Sequence, residues 1–134
     1  AHEREELRVV ADQHGVPTPA RLVAEVTATA LARCATEARF DLGAHADTYH
    51  VAARGATTWH SFAEAIVLLD PRRAEQRCRR VVPIATADFP TAARRPAYSV
   101  LDPARLERTF ALRMPAWQGA LELVMAELPT GALG

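Results

Sequence analysis

The side chains that could do acid-base chemistry in this sequence include two tyrosines, but no lysine accompanies them, because all 16 Lys+Arg residues are arginines. A P-loop needs a lysine at the phosphates, and a Schiff-base enzyme needs a lysine amine. The catalytic tyrosine of a short-chain dehydrogenase needs a lysine four residues later, where Tyr49 and Tyr98 are followed by Ala53 and Asp102. The chain therefore completes none of these mechanisms by itself.

The histidines, cysteines and serines also fail to form the patterns of metal sites or hydrolases. The five histidines show no HExxH or comparable spacing, and Ser61 lies outside any GxSxG motif. Cys34 and Cys78 lie far apart without a CxxC motif, so we expect reduced thiols that serve as packing residues. No GxxGxxG dinucleotide loop occurs either.

The overall composition predicts one compact domain. The chain has 134 residues, of which 49% are hydrophobic. Its 16 acidic residues balance its 16 basic residues, so we expect no nucleic-acid partner and no attraction to an anionic membrane. No apolar run approaches the roughly 20 residues that a membrane span needs. The expectation is a cytoplasmic protein.

Alternating strand and helix signals predict an α/β fold. Strands are expected at residues 7–10, 48–52 and 81–84, and residues 2–6 are expected to end a helix. Helix starts are predicted at Thr18-Pro19, at Thr57 or Thr58, at Asp102-Pro103 and after Pro115. Because helices connect the strands, parallel pairing is expected. An extended loop is expected at residues 89–96, where two prolines restrict their neighbours.

Each predicted helix carries one apolar stripe at steps of three and four residues. The stripes are Val23, Val26, Ala30 and Cys34; Trp59, Phe62, Ile66 and Leu69; Leu106 and Phe110; and Trp117, Leu121, Val124 and Leu128. Core packing is therefore the expectation for Trp59 and Trp117, with stacking on a nucleobase as the alternative. Residues 71–80 hold five arginines, which is typical of a solvated loop, with an anion-binding patch as the alternative.

Three segments carry a resemblance to a known family. They are DQHGVPT at residues 12–18, YHVAARGATTWHSFAEAI at 49–66 and FPTAARRPAYSVLD at 89–102. In these segments the sequence resembles dTDP-4-dehydrorhamnose reductases, which are extended short-chain dehydrogenases. In that family the pattern belongs to the C-terminal half of a Rossmann-type protein. The resemblance implies that residues 1–134 form a single substrate-binding region, with short strands and about four helices, and that the N-terminal dinucleotide-binding domain is absent.

The resemblance also implies an activity. The parent enzyme would pass a hydride from NADPH to the C4 ketone of dTDP-4-dehydro-L-rhamnose and release dTDP-L-rhamnose. The implied partners are the dTDP-sugar, the missing domain that mainly binds NADPH, and a second copy in a homodimer. Some relatives are magnesium-dependent dimers, but no acidic cluster maps onto a magnesium site. Without the Tyr/Lys pair, the 134-residue chain alone should be inactive.

Five polar residues are the candidate substrate contacts. Gln13 and Thr18 lie in a turn, where they either bond the substrate or its loop, or satisfy the turn itself. Arg94 and Arg95 lie in the proline-restricted loop, and a forked guanidinium suits a diphosphate. Surface or structural ion pairing is the alternative for both arginines. Ser99 is expected to shape that loop.

Two further functions stay open at this stage. The regulatory subunit of methionine adenosyltransferase resembles the same family, so a non-catalytic binding module is one alternative. An epimerase or dehydratase that acts on another nucleotide sugar is the other. Ala11 stands where the family commonly has an acidic residue, and residues 71–80 lengthen a connection that is usually shorter. These departures leave the exact sugar open.

Overall fold

The computed structural model describes residues 1–35, 43–89, 91, 93 and 95–129, which form a mixed α/β structure. The strands are β1 Glu6–Val10, β2 His14–Gly15, β3 Thr57–Thr58 and β4 Arg80–Ile84, and the helices are α1 Ala20–Cys34, α2 Trp59–Leu69, α3 Ala104–Thr109 and α4 Trp117–Ala126. The predicted α/β class and the predicted first and last strands are confirmed. Within this described part, no helix is long and apolar enough to cross a membrane.

Strands β1 and β4 form a parallel pair, as the helical connection between them predicts. The register runs from Glu6 opposite Arg80 to Val10 opposite Ile84, and the amide of Ala11 extends the pairing by donating to the Ile84 carbonyl at 2.9 Å. Helix α2 packs against both strands. Because parallel strands end at the same edge, the loops that follow β1 and β4 leave the sheet side by side.

Strand β2 holds two other segments together. It pairs antiparallel with β3, with His14 opposite Thr58. On its other side, the amide of His14 donates to the Ala97 carbonyl at 2.8 Å, and the amide of Ser99 donates to the His14 carbonyl at 2.8 Å. The chain around residues 97–99 is thereby fixed beside the loop that follows β1.

Two apolar clusters form the core. One contains Val26, Cys34, Leu106, Phe110 and Met114. The other contains Ala53, Trp117, Leu121 and Met125, with Phe62, Ile66 and Leu69 of α2 packed against it. The stripes predicted for α1 to α4 supply most of these side chains, so the faces that the helices bury are largely those that the sequence indicates.

The predicted stripes of α1 and α4 are displaced at three positions. Val23 is 37% exposed, and Leu22 packs into both clusters instead. Val124 and Leu128 are 38% and 43% exposed, whereas Met125 is buried. A spacing of three or four residues only approximates the helical repeat of 3.6, so neighbouring positions along a stripe can exchange roles.

Three local predictions were wrong. No helix lies ahead of β1 among the described residues, which are irregular up to Glu5. Residues 48–52 form no strand, although Ala52 is 3% exposed. Buried, β-prone residues indicate a packed surface, but a strand also needs a neighbouring backbone to pair with. Pro19, rather than Thr18, is the N-cap of α1. Thr18 instead donates to the Val16 carbonyl at 3.3 Å and accepts from the Ala53 amide at 3.1 Å.

The predicted cap of α2 is confirmed. Thr58 is the N-cap of α2, and its hydroxyl accepts from the Ser61 amide at 3.1 Å. The N-cap of α3 is Pro103, so the cap predicted at Asp102 lies one residue too early; the Asp102 carboxylate still accepts from the Ala104 amide at 2.9 Å. The arginine-rich segment is a solvated loop as predicted, with Arg73 in a short 3-10 turn. Cys34 is buried, and Cys78 is half-buried in that loop; both thiols are free.

A buried carboxylate joins α3 to the segment that precedes β3. Glu107 is 8% exposed. One of its oxygens accepts from Arg54 Nε at 2.8 Å and from the Met114 amide at 2.8 Å, and the other accepts from Arg54 Nη2. The hydrogen bonds from Arg54 and then from Met114 lower the pKa of Glu107 to about 2.

Gly55 is the position where the backbone depends on glycine. Its φ is +90°, and a Cβ added there would lie 3.3 Å from Cδ1 of the buried Trp117. Gly55→Ala should therefore lower the free energy of unfolding by about 1 to 2 kcal/mol. Urea denaturation measures this change.

Gly119→Ala is the matched control for that prediction. Gly119 lies within α4, where an added Cβ meets nothing within 4 Å. Alanine should raise the free energy of unfolding there by up to about 1 kcal/mol. Equal effects of the two substitutions would rule out a special backbone requirement at Gly55.

Candidate functional site

The loops at the carboxyl ends of β1 and β4 are tied to each other. The Asp12 carboxylate accepts from the Thr86 amide, at 3.0 Å to each oxygen, and from the Thr86 hydroxyl at 2.6 Å. Gln13 Nε2 donates to the same hydroxyl at 3.0 Å. The hydrogen bonds from Thr86 lower the pKa of Asp12. Open parallel sheets bind ligands outside the carboxyl ends of their strands, so this edge is the expected place for a site.

Two adjoining cavities open at this edge, and we call them together the strand-end cleft. The larger, of about 510 Å³, is lined by Arg8, Val9, Val10, Gln13, Trp59, Phe89, Thr91 and Arg95. The smaller, of about 370 Å³, is lined by Asp12, Thr86, Ala87, Phe89, Thr91, Ala93, Arg95 and Ala97. Phe89, Thr91 and Arg95 belong to both. Each volume lies within the range of small-molecule pockets.

A third cavity lies on the other side of Trp59, and we call it the β2–β3 cavity. Its volume is about 180 Å³, and it is lined by Gly15, Val16, Pro17, Thr57, Thr58, Trp59, Phe62 and Ser99. Trp59 is therefore a wall of both this cavity and the larger part of the strand-end cleft. The indole thus separates the larger part of the strand-end cleft, which contains Arg8 and Arg95, from the more enclosed β2–β3 cavity.

Two guanidiniums at the strand-end cleft are uncommitted. Arg8 and Arg95 form no ion pair or side-chain hydrogen bond with any residue that the structure describes. Some arginines elsewhere form ion pairs, such as Arg54 with Glu107, Arg80 with Glu6 and Arg105 with Asp47. No aspartate or glutamate lines the larger cavity. The electrostatics of this cavity therefore favour an anion.

The structure places the five predicted contact residues in different surroundings. Gln13 and Arg95 line the strand-end cleft. Ser99 lines the β2–β3 cavity, and its hydroxyl donates to the His14 carbonyl at 3.1 Å. The Thr18 hydroxyl is engaged with Val16 and Ala53, as described above. Arg94 lies outside the described residues. Contact of each of these with a ligand stays a prediction.

Sequence reasoning missed Arg8 and Phe89 of the cleft, and for Trp59 it favoured core packing over the alternative of stacking on a nucleobase. Trp59 is 59% exposed, so its predicted core packing was wrong, whereas Trp117 is 7% exposed as expected. Trp59 is the first residue of α2 and lines the larger cavity together with residues of β1. Phe89 is 55% exposed. Arg8 is a cation between the apolar Leu7 and Val9 of β1, and that interruption was the available signal.

Magnesium does not fit the described residues. They contain no group of three or more His, Cys, Asp or Glu side chains able to hold a metal ion. Asp12 is the carboxylate of the strand-end cleft, and Thr86 already occupies both of its oxygens. We therefore assign no step to a metal in this chain.

Comparison with known proteins identifies the family of the chain. The family model for the RmlD substrate binding domain matches residues 1–130. The dTDP-4-dehydrorhamnose reductase of Burkholderia thailandensis is 43% identical over 131 residues, which cover 96% of this chain and 44% of the relative. That of Shigella flexneri is 39% identical over 132 residues, covering 97% and 42%.

Solved structures of dTDP-4-dehydrorhamnose reductases share the fold. The enzyme from Bacillus anthracis, solved in complex with NADP, superposes with a TM-score of 0.74 at 33% identity, covering 94% of this chain and 40% of that one. The enzyme from Clostridium acetobutylicum gives a TM-score of 0.75 at 29% identity, covering 92% and 39%. The chain spans less than half the length of the curated relatives that it matches. It belongs to the RmlD substrate-binding domain family.

Proposed function

We propose that this chain is the sugar-nucleotide-binding part of an NADPH-dependent reductase that converts dTDP-4-dehydro-L-rhamnose into dTDP-L-rhamnose in the cytoplasm. The observation that carries the proposal is a pair of guanidiniums without an ion-pair partner, Arg8 within β1 and Arg95 in the loop region after β4, which line one cavity. A diphosphate needs forked donors, and the larger cavity, which both arginines line, has no carboxylate in its lining. The names of the relatives supply the sugar and the nucleotide.

The chain's own contribution is binding and orientation. Gln13 is held by Thr86, and the loop that contains Arg95 is anchored to β2 through Ala97 and Ser99. Polar groups fixed in this way hold a substrate in one position, which lowers the entropic part of a reaction barrier. In the proposed parent protein, NADPH supplies the hydride. The dinucleotide site and the Tyr/Lys pair would lie outside residues 1–134, which contain no lysine.

Calorimetric titration of the 134-residue chain tests the binding part of this proposal. We expect dTDP and dTDP-glucose to bind at least about ten-fold more tightly than thymidine, because only they carry the diphosphate. Absence of heat with dTDP, under conditions where circular dichroism shows a folded chain, would contradict the proposal. Equal affinity for thymidine and dTDP would show that Arg8 and Arg95 do not bind the diphosphate.

A catalytic assay tests the proposed division of labour. The chain alone, given NADPH and dTDP-4-dehydro-L-rhamnose, should show no loss of absorbance at the wavelength of the reduced nicotinamide. Its lack of lysine is the reason. A longer protein that contains this region with an intact Tyr-x-x-x-Lys motif should oxidise NADPH. Turnover by the chain alone would refute the assignment, and a longer protein without the motif would favour a non-catalytic binding module.

A further inference from the structure

The larger cavity of the strand-end cleft contains two exposed aromatic side chains. Trp59 and Phe89 line it and are 59% and 55% exposed. Exposure of a large aromatic side chain to water is unfavourable in hydrophobic free energy. A ligand that covers the side chain removes this unfavourable contribution. Both stand in the same cavity as the uncommitted Arg8 and Arg95. The cavity thus combines apolar planar surfaces with cationic groups.

Trp59 is held by a fixed helical turn. Its neighbour Thr58 caps α2 through the Ser61 amide, and His60 Nε2 lies 3.2 Å from the Val81 carbonyl of β4. One turn further along, the Phe62 ring meets Trp117 edge to face at 6.0 Å between centroids. These contacts anchor the backbone that carries the indole. A preorganised aromatic surface loses little entropy when a ligand stacks on it.

We propose that the indole of Trp59 is the surface on which the planar base of the nucleotide stacks, with Phe89 as a second apolar wall of the same compartment. This inference rests on the proposed function, because it assumes that a nucleotide enters the cleft. The base is the planar part of such a ligand, and its diphosphate is the anionic part that Arg8 and Arg95 attract. One cavity thereby accounts for both halves of a nucleoside diphosphate.

Binding measurements on three variants of the 134-residue chain test the proposal. Trp59→Ala should weaken dTDP binding about ten-fold, the effect of losing one base stack. Trp59→Phe should retain most of the affinity, because phenylalanine keeps a smaller stacking surface. Binding of inorganic pyrophosphate should be the same in both variants, since it has no base. Leu68→Ala is the control, because Leu68 is 61% exposed on α2 and lines none of the three cavities.

Tryptophan fluorescence gives an independent readout. The chain has two tryptophans, of which Trp59 is 59% exposed and Trp117 is 7% exposed. Saturating dTDP should quench the emission of the unaltered chain, and the quenching should vanish in Trp59→Phe, in which Trp117 alone emits. Pyrophosphate should leave the emission unchanged.

Three results would overturn the stacking assignment while leaving the proposed function in place. They are unchanged dTDP affinity in Trp59→Ala, an equal loss of pyrophosphate affinity, and a loss that affects dTDP-glucose but spares dTDP. The last result would place the sugar, rather than the base, on the indole. Failure of the unaltered chain to bind dTDP would instead overturn the proposed function and the stacking assignment together.

Discussion

Replacement of Glu107 by glutamine should lower the free energy of unfolding at pH 7 by about 2 to 3 kcal/mol. The carboxylate accepts from both Arg54 and the Met114 amide at a site that is 8% exposed. Glutamine has one acceptor oxygen, and its amide group would face the Arg54 guanidinium. Chemical denaturation measures the loss. Glu122→Gln is the matched control, because Glu122 is exposed on α4 and should change stability by less than about 0.5 kcal/mol.

The same pair predicts a specific dependence on pH. The folded-state pKa of Glu107 is about 2, below its ordinary value of 4.5. The unfolded chain therefore takes up a proton first as the pH falls, and the stability contributed by the carboxylate is lost between pH 4.5 and about 2. The difference between the unaltered chain and Glu107→Gln should be constant above pH 4.5 and shrink below it. A difference that stays constant down to pH 2 would show that the pair does not stabilise the fold in this way.

Replacement of Arg95 by alanine should weaken dTDP binding by about 1 to 3 kcal/mol, or roughly five- to 150-fold. Arg95 belongs to both parts of the strand-end cleft and has no carboxylate partner in the described chain, so its loss removes ligand contacts without breaking an internal ion pair. Stability should therefore change by less than about 0.5 kcal/mol. Calorimetric titration with dTDP measures the loss of affinity.

Arg79→Ala controls for the change in net charge. Arg79 is exposed in the loop that precedes β4 and lines none of the three cavities. It should leave dTDP affinity within about two-fold of the unaltered chain, because exposed charges at a distance are screened by salt. Equal losses in the two variants would indicate a general attraction for anions and would argue against a contact by Arg95.

Elements with local signals could be predicted from the sequence. The apolar strands β1 and β4 and the capped start of α2 at Thr58 need only neighbouring residues to define them. The predicted strand at 48–52 failed because pairing depends on a distant partner. The backbone bridge that the structure describes in this region lies just beyond it, at Arg54, which accepts from the Trp117 amide at 3.0 Å and donates to the Pro115 carbonyl at 2.8 Å. Burial alone does not show whether such a partner exists.

Only part of the candidate site could be predicted from the sequence. Gln13 and Arg95 lie in loops with proline and glycine, so their chemistry could be inferred from residue type. Trp59 and Arg8 occupy a helix and a strand, where periodic patterns describe packing but not where a sheet ends. The exposed positions of these two side chains follow from the pairing of β1 with β4 and the packing of α2 across both strands.

Nuclear magnetic resonance titration of the isotopically labelled chain with dTDP is the most direct test of where the nucleotide binds. We predict saturable shifts for the side-chain amide of Gln13, the backbone amides of Thr86 and Arg95, and the indole NH of Trp59, while the indole NH of Trp117 stays in place. Shifts confined to the surface between α1 and α4, or no shift at saturating dTDP, would contradict binding at the carboxyl ends of β1 and β4.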